Sequence, residues 1–430
     1  MKKEGIFLPP FGAKKKIVVI GGGATGSLSA LELARAGHDV TLIEAGQIGN
    51  GSSSRSAACI RQQFGNESTV KGMIFANRYY DNWDQITGAP TSPIVHSGYL
   101  WLHGWTKTDL DSLKELVKKQ KEAGLQEVEI LDPTEIGLRF PYIETTGVLA
   151  ATWCPTDGFL SPEKVYLDAT ESLRNIGGTI VIKDEVVEVI TSNDLPVSVR
   201  TKSGKIFDAD IFINTAGVWA PKVSTLFGGQ QLNINALKRY LYFIKGFNGN
   251  PKGKDQIMTE EDLDKLPMVI MPEGCYCRPE SKGSGRIMSG WVQFTRPIEP
   301  SFENQDHIEP GFGKDNFTDY GWALRKTLTA YIPDIQHMGT IYSVISGLYE
   351  DTPDHNPLIG FDPKIPNLIH CAGFSGHGLM HAPFSAHIVS HLVSTGRNIE
   401  QIPLPFNLGP VDVKTFWVDR VFLHPEGMVI

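Results

Sequence analysis

The sequence has few cysteines and no arrangement of them that suggests a disulfide framework or a metal site. Its 430 residues include five cysteines, an odd number with no C-x-x-C pair, so neither a disulfide-stabilised scaffold nor a zinc site is expected. Cys275 and Cys277 would share one face of a strand. A redox pair is conceivable there, but small buried side chains are the simpler interpretation.

Long apolar runs and an excess of basic residues are also missing. Near the N-terminus the longest apolar patch is Ile6 to Pro9, which is too short for a signal peptide or a membrane span. A net charge of −8 without a basic block argues against a nucleic-acid partner. We therefore expect a cytoplasmic protein, with peripheral membrane contact left open. The length of the chain fits two domains.

Residues 16 to 44 have the pattern of a strand, a helix and a second strand. Gly21, Gly23 and Gly26 fall in G-x-G-x-x-G spacing at the point where the first strand must turn into the helix. The first glycine permits the tight turn, the second lets the backbone approach a pyrophosphate, and the third lets the helix pack on the strand. The positive end of the helix dipole would hold the phosphate charge.

Glu44 ends the second strand about twenty residues after the turn, where a carboxylate can accept both hydroxyls of an adenosine ribose. An acidic residue at this place disfavours a 2′-phosphate, so the expected ligand is FAD or NAD rather than NADP. The loop Gly51 to Ser54 can then place amides and hydroxyls around phosphate oxygens. A solvated Ser/Gly linker is the alternative for that loop.

Hydrophobic periodicity predicts further elements along the chain. Helices are expected at Ser68–Ile86, Asp109–Ala123, Asn316–Tyr331 and Gly378–Thr395. Between residues 230 and 300, strand-like runs alternate with Pro/Gly breaks, which indicates an antiparallel sheet. We predict a discontinuous dinucleotide-binding domain of residues 14–89, 147–228 and 340–400. A discontinuous second domain contains residues 90–146 and 229–339, and residues 401–430 form a tail.

Five separated segments resemble one family, the FAD-dependent amine and amino-acid oxidoreductases, which includes D-amino-acid oxidase, glycine oxidase, sarcosine oxidase and dimethylglycine dehydrogenase. They occur in the family's order: GGGATG with Glu44, GSSSRSAACIRQ, INTAGVWA, GLYEDTPDHNPLIG and GFSGHGLMHAPFSAHIVSHLV. KRYLYF, PEGCYCRPE and GFSGHGL are also similar to a subgroup that contains a flavoprotein assembly factor of the respiratory chain. The resemblance implies an α/β plus α+β fold, in which a Rossmann-like FAD-binding domain is interleaved with an antiparallel-sheet substrate domain.

The resemblance also implies which residues hold FAD. The helix that starts at Gly378 would aim its amides and dipole at the flavin pyrimidine edge, where negative charge builds on reduction. His377 could tune the flavin or cap this helix, with equal weight for the two roles. The expected FAD-binding residues are Gly21, Gly23, Ala24, Gly26, Glu44, Ala45, Ser52, Ser53, Ser54, Arg55, Val187, Ala216, Gly217, Trp219, Gly347, Gly376, His377, Gly378, Leu379 and Met380.

On the substrate side, Arg61 stands where the sarcosine oxidases hold a substrate carboxylate with an arginine. A planar guanidinium suits a carboxylate because it can donate two parallel hydrogen bonds. A surface or structural arginine is the alternative. Tyr349 matches a tyrosine that lines the same pocket, and core packing beside the flavin is its alternative role. We therefore expect Arg61, Tyr349 and His377 to form the catalytic site.

Three departures from sarcosine oxidase narrow these expectations. Gly347 replaces the cysteine that links covalently to flavin, so FAD should be bound noncovalently. Met380 replaces a lysine that helps to hold the carboxylate. Met288 aligns with a lysine that promotes reaction with oxygen, which favours a dehydrogenase. Lys238, Arg239 or Arg278 could supply the missing positive charge instead.

The expected reaction is oxidation of the C–N bond of an amino acid or N-methylated amine by hydride transfer to flavin, with hydrolysis of the resulting imine. The electron acceptor would be oxygen, a quinone or a carrier protein, and an oligomer is possible. Two alternatives stay open at this stage. One is a 2-hydroxy-acid dehydrogenase on the same scaffold, and the other is a non-catalytic, FAD-stabilised assembly factor.

Overall fold

A computed structural model describes residues 13–105, 108–247, 256–314, 319–422 and 425–428. The predicted apolar patch Ile6 to Pro9 and the first three residues of the predicted helix Asn316–Tyr331 lie outside these ranges. The remainder of that helix is present as Asp319–Tyr331. Within the described part of the chain, no helix combines the length and apolar character needed to cross a membrane.

The described strands form two large sheets, of six and nine strands, and three smaller ones. The strands are β1 (Lys16–Ile20), β2 (Asp39–Ile43), β3 (Cys59–Ile60), β4 (Ile94–Val95), β5 (Tyr99–Gly104), β6 (Glu129–Leu131), β7 (Val148–Cys154), β8 (Gly158–Leu160), β9 (Thr179–Val181), β10 (Val186–Ser192), β11 (Leu195–Thr201), β12 (Ile206–Asp208), β13 (Ile211–Asn214), β14 (Asn235–Ile244), β15 (Met268–Ile270), β16 (Cys275–Pro279), β17 (Ile287–Trp291), β18 (Arg296–Pro297), β19 (Ile341–Asp351), β20 (Leu358–Phe361), β21 (Leu368–Ala372), β22 (Gln401–Leu404) and β23 (Gly409–Asp412). The helices are α1 (Ala24–Arg35), α2 (Glu67–Asp81), α3 (Trp83–Thr87), α4 (Leu110–Glu122), α5 (Pro133–Arg139), α6 (Pro162–Asn175), α7 (Ala220–Phe227), α8 (Glu260–Lys265), α9 (Phe302–Asp306), α10 (Asp319–Tyr331) and α11 (Gly378–Thr395).

A six-stranded sheet contains the predicted strand–helix–strand unit. Its order is β20-β21-β13-β1-β2-β9, and its strands are parallel except for β20, which runs antiparallel to β21. β1, β13 and β21 are apolar on both faces because α1 and α11 cover one face, while α7 and the sheet that contains β10 and β11 cover the other. The carboxyl ends of these strands meet at one edge, which is where a doubly wound sheet binds its ligand.

The second sheet has nine strands in the order β18-β14-β17-β16-β15-β5-β7-β6, and β19 pairs with β14 as a branch. This arrangement confirms the antiparallel sheet predicted between residues 230 and 300. β7 and β19 also belong to this sheet, although the sequence analysis assigned residues 147–228 and 340–400 to the dinucleotide-binding domain. β19 stays paired with β14 as far as Asp351, and the Glu350 side chain near its end accepts a hydrogen bond from the Gly373 amide, which follows β21 of the first sheet.

Two predicted elements have different bounds in the structure. The predicted helix Ser68–Ile86 is divided into α2 and α3, because the Asn82 side chain donates to the Arg78 carbonyl 2.8 Å away and competes with the helical hydrogen bonds. The predicted strand Arg286–Phe294 ends at Trp291, after which the backbone forms a single 3₁₀ turn. Neither change moves a residue of the candidate site.

Candidate active site

The glycine-rich turn after β1 has a geometry that only glycine permits at two positions. Gly21 has a φ of +110°, and a Cβ there would lie 2.5 Å from the Thr215 carbonyl oxygen. A Cβ at Gly26 would overlap the Gly21 carbonyl, so the third glycine lets α1 pack against the turn. At Gly23 the nearest atom to such a Cβ is the Ser53 hydroxyl at 3.1 Å, which leaves the backbone open to a ligand on that side.

The Glu44 carboxylate is buried beside this turn. It accepts hydrogen bonds from the backbone N–H of Gly22 at 2.7 Å and of Gly46 at 2.6 Å. Burial raises the pKa of Glu44, and these two hydrogen bonds act in the opposite direction. Ala45, the next residue, is exposed. Each carboxylate oxygen keeps one lone pair that a ribose hydroxyl could use.

The Ser52–Arg55 turn connects the two sheets. Ser53 accepts a hydrogen bond from the Ala24 amide at the first residue of α1 (3.0 Å), and Ser52 donates to the Leu348 carbonyl on β19 (2.5 Å). Ser54 is exposed and contacts only its own turn through the Gly51 carbonyl and the Arg55 side chain. Ser53 is thus positioned at the N-terminus of α1, and Ser52 links the turn to β19.

The Arg55 side chain forms an ion pair with Asp306 (2.7 Å) and donates to the Asn50 carbonyl (2.6 Å), and it also contacts its own turn. Its stem lies against β19, where a Cβ at Gly347 would be 2.9 Å from the Arg55 Cβ. The glycine that replaces the expected cysteine at residue 347 is therefore required by this contact. A covalent link at that position would need the Arg55 backbone to move.

A cavity lies between the two sheets and opens to solvent. One end is the N-terminus of α1 and the other is the wall formed by the second sheet. It is lined by Thr25, Ser52, Ser53, Arg55, Ser56, Ala57, Arg239, Leu241, Tyr276, Gly347, Leu348, Tyr349, Glu350, Gly376, Gly378 and Leu379.

The segment before α11 forms one wall of this cavity. Gly376 has a φ of +87°, and a Cβ there would overlap the Tyr349 ring. Gly378 and Leu379 also line the cavity, whereas Met380 is buried in the core of the first sheet. The N-terminus of α11 thus lies at the cavity, as its sequence predicted.

The other predicted FAD-binding residues lie at the edges of this site. Ala216, Gly217 and Trp219 follow β13 at the carboxyl edge of the parallel sheet, and Trp219 packs against Phe302 with ring centres 4.9 Å apart. Val187 lies on β10 and is 43% exposed. Their contact with FAD stays a prediction.

Arg61 does not line the cavity described above. It is 1% exposed, and its guanidinium donates to the backbone carbonyls of Gln63 and Met428 while lying 3.8 Å from the Phe64 ring centre. Burial lowers its pKa. Its donors are therefore directed to the protein backbone in this conformation, which is the structural role that the sequence analysis kept open.

His377 contacts Arg61 rather than capping the helix. The side chain makes no capping hydrogen bond at the start of α11, and its Nε2 lies 3.5 Å from an Arg61 nitrogen. Burial, together with the Arg61 charge, lowers the pKa of His377 well below its usual range, so the ring is neutral at pH 7. His377 thus occupies the N-cap position of α11 without a side-chain capping hydrogen bond, and its role toward FAD stays a prediction.

Of the three cations proposed to replace the missing lysine, Arg239 lines the cavity. Its guanidinium carbon lies 4.2 Å from the centre of the Tyr349 ring. Lys238 points to the other face of the strand and donates to the Asn304 carbonyl at 2.5 Å. Arg278 donates to the Ala57 carbonyl at 2.8 Å. Met288 is buried among apolar and aromatic side chains that include the cavity residues Leu241 and Tyr276.

Glu350 is the site residue that the sequence analysis missed. One of its oxygens accepts a hydrogen bond from the Gly373 amide at 2.8 Å, and burial raises its pKa to about 7. Strand alternation would place Glu350 on the opposite face from Tyr349. Both residues nevertheless line the cavity, because they lie near the end of β19 where it meets the first sheet. Regular alternation along a strand therefore does not predict that Glu350 lines the cavity together with Tyr349.

The residues at this site fit FAD by position and by chemistry. The glycine turn leaves its backbone open, Glu44 keeps lone pairs for a ribose, and α1 and α11 direct their N-termini to the same region. Among the described residues, no group of three or more potential metal ligands is found. A parallel dinucleotide-binding sheet joined through one cavity to an antiparallel sheet defines a two-domain class of flavin-dependent oxidoreductases.

Comparison with known proteins identifies the family. Residues 16–392 match the family model described as FAD dependent oxidoreductase, and the chain belongs to that family. It is an FAD-dependent oxidoreductase. The FAD-dependent oxidoreductase domain-containing protein 1 of Xenopus laevis is 26% identical, with 97% of this chain and 85% of the relative covered.

Two further comparisons are similar over nearly the whole chain. Monomeric sarcosine oxidase from a Bacillus species is 25% identical, with 90% of this chain and 94% of the relative covered. The crystal structure of L-proline dehydrogenase from P. horikoshii is 27% identical and superposes with a TM-score of 0.75, covering 91% of this chain and 95% of that chain. The predicted family and fold class are confirmed.

Proposed function

We propose that this chain oxidises the C–N bond of an amino acid or an N-methylated amine, with FAD accepting a hydride from the substrate carbon to give an imine that hydrolyses. The observation that carries the proposal is the cavity between the two sheets. It runs from the first turn of α1 to a wall where Arg239, Tyr349, Tyr276 and Leu241 meet. A cation beside aromatic and apolar side chains suits a small molecule with a carboxylate and a carbon skeleton.

Arg239 is the guanidinium that we assign to the substrate carboxylate. It lines the cavity, and its planar group can donate two parallel hydrogen bonds. Arg61 could reach a carboxylate only if the Met428 carbonyl moved away from it. The predicted contact between Arg61 and the substrate is therefore a second step in binding, after a rearrangement of residues 425–428.

The remaining residues orient the amine and keep water away from the reacting carbon. Tyr349 and Leu241 enclose the cavity on the side of the second sheet, and the neutral His377 ring supports the start of α11. Hydride transfer needs a neutral, oriented amine more than it needs a strong base, so positioning carries most of the catalytic effect. When FAD is bound in the cavity, it supplies the redox chemistry.

Two relatives support an N-substituted amino acid as the substrate class. The names of the Bacillus and P. horikoshii proteins specify sarcosine and L-proline, both of which are secondary amines with a carboxylate. We infer a substrate of that class here. We also propose that FAD is bound noncovalently, because Gly347 offers no nucleophile and packs against Arg55.

The residues around the cavity wall favour a dehydrogenase over an oxidase. Met288 is buried in an apolar cluster at the position where the sarcosine oxidases carry a lysine. Because we assign Arg239 to the substrate carboxylate, Met288 leaves its own position without a positive charge to stabilise superoxide formed from oxygen. We propose a quinone or a carrier protein as the electron acceptor, and the cytoplasmic location and a possible oligomer stay predictions.

Anaerobic mixing of the FAD-loaded protein with a substrate panel tests the proposal. The panel contains proline, sarcosine, dimethylglycine, D-amino acids and 2-hydroxyglutarate, and the flavin absorbance is followed. Bleaching by a secondary amino acid is the expected result. Bleaching by 2-hydroxyglutarate alone, or none with any member of the panel, would contradict amine oxidation.

A further inference from the structure

Glu350 is a half-buried carboxyl group that the proposed reaction does not use. It lines the cavity at the end of β19, and one oxygen, Oε2, is fixed by the Gly373 amide at 2.8 Å. The other oxygen, Oε1, lies 3.7 Å from the place of a Cβ on Gly378, the first residue of α11. One oxygen is therefore anchored to the backbone, while the other faces the start of a helix at the cavity.

The surroundings of Glu350 contain no cation that its carboxylate pairs with among the described residues. The shift of its pKa comes from burial, and the only opposing contributions are the backbone hydrogen bonds of Gly373 and Phe374. A carboxyl group in this state exchanges its proton near neutral pH, and its charge responds to any new charge in the cavity. Glu350 is thus placed to sense the redox state of a ligand held there.

We propose that Glu350 is a proton-holding residue for the FAD-dependent reaction: its carboxylate takes up one proton from solvent when the cofactor in the cavity receives two electrons. The cofactor gains two electrons and one proton as a hydride from the reductant, and Glu350 gains the second proton. In total, two electrons and two protons enter the site. Glu350 thereby compensates the negative charge that reduction adds near the α11 N-terminus.

The other titratable groups around Glu350 are Arg55, Arg239, Tyr276, Tyr349, Asp351, Cys371 and His377. The arginines stay protonated between pH 6 and 9. Burial keeps the pKa of His377 well below this range and raises the pKa of the Cys371 thiol above it. Asp351 pairs with His355 at 2.9 Å and provides a neighbouring carboxylate for comparison.

The midpoint potential of the FAD-loaded protein between pH 6 and 9 tests this proposal. Mediator dyes reduce the protein, so no substrate is needed and the result does not depend on amine oxidation. One proton per two electrons changes the potential by about 30 mV per pH unit, and two protons change it by about 60 mV. For the wild type, we expect the midpoint potential to follow the steeper, two-proton slope over a pH range that begins near pH 7.

Glu350→Gln should reduce the slope to about 30 mV per pH unit throughout, because the amide cannot take up the proton. Asp351→Asn, the matched control, should keep the wild-type slope. A wild-type slope of 30 mV at every pH, or equal slopes in the wild type and Glu350→Gln, would overturn the proposal.

If Glu350→Gln does not retain FAD, a redox difference infrared spectrum of the wild type gives the answer instead. A protonated carboxyl band should appear on reduction at pH 8. Its absence would equally overturn the proposal.

Discussion

The guanidinium of Arg239 lies over the ring of Tyr349, with 4.2 Å between the guanidinium carbon and the ring centre. The two residues are diagonal neighbours on adjacent strands, since Arg239 pairs with Gly347 and Leu237 pairs with Tyr349. Because Gly347 has no side chain, Arg239 can lean across the strand toward the tyrosine. The same glycine thus makes room for Arg239 and for the stem of Arg55.

This relationship predicts that Arg239 contributes more to substrate affinity than Arg61 does. Arg239→Ala should weaken binding of a secondary amino acid by about 10- to 150-fold, the effect of losing hydrogen bonds to a charged group. Arg239→Lys should recover part of that loss. The measurement is an anaerobic titration of flavin bleaching. Unchanged affinity in Arg239→Ala, together with a large loss in Arg61→Ala, would return the carboxylate to Arg61.

The apolar position of Met288 predicts slow reaction of the reduced protein with oxygen. Met288→Lys should increase the rate about 100-fold, because a cation would then stabilise superoxide in a buried site. Met288→Gln has a similar length without the charge and is the control. Stopped-flow reoxidation in air-saturated buffer measures the rate. A fast wild-type reaction that neither variant changes would contradict the assignment as a dehydrogenase.

The glycine turn predicts a large effect from a single methyl group. Gly26→Ala places a Cβ on the Gly21 carbonyl, so it should destabilise the protein by about 1–3 kcal/mol and lower the FAD content after purification. Gly137→Ala is the matched control. That residue lies in α5 with open space around it, and alanine there should stabilise the helix by about 0.5–1 kcal/mol. Equal FAD content in Gly26→Ala and Gly137→Ala would contradict the predicted steric overlap with the Gly21 carbonyl.

Burial of Glu350 predicts a pH dependence of stability in the FAD-free protein. The pKa in the folded state, about 7, is above the ordinary value of 4.5, so the protonated form favours folding at low pH. This stabilising effect is lost as the pH rises through 7. Relative to Glu350→Gln, the wild type should therefore lose thermal stability between pH 5 and 8. Parallel melting curves across that range would show that Glu350 is solvated.

Local sequence patterns were sufficient to predict the first half of the site. The spacing of Gly21, Gly23 and Gly26 specifies a turn whose steric limits the structure reproduces, and Glu44 follows β2 as the pattern required. These features depend on residues close together in the chain. The same is true of the start of α11 at Gly378.

The rest of the site depends on contacts between distant segments, which no local pattern contains. Arg61 was matched to a carboxylate-binding arginine, but the Met428 carbonyl, far along the chain, takes one of its donors. Glu350 was missed because alternation along a regular strand assigns it to the face opposite Tyr349. Its position depends on how the end of β19 meets the first sheet. The positions of Arg61 and Glu350 relative to the cavity thus depend on tertiary packing.

In the proposed reaction, FAD oxidises an amine in the cavity between the two sheets. Product analysis after a single anaerobic turnover compares the amount of bleached flavin with the amount of carbonyl compound or cyclic imine formed. We expect one molecule of imine-derived product for each flavin reduced by a secondary amino acid, and no bleaching by the matching hydroxy acid. Flavin reduction without an amine-derived product, or an intact amine after full bleaching, would contradict the proposed reaction.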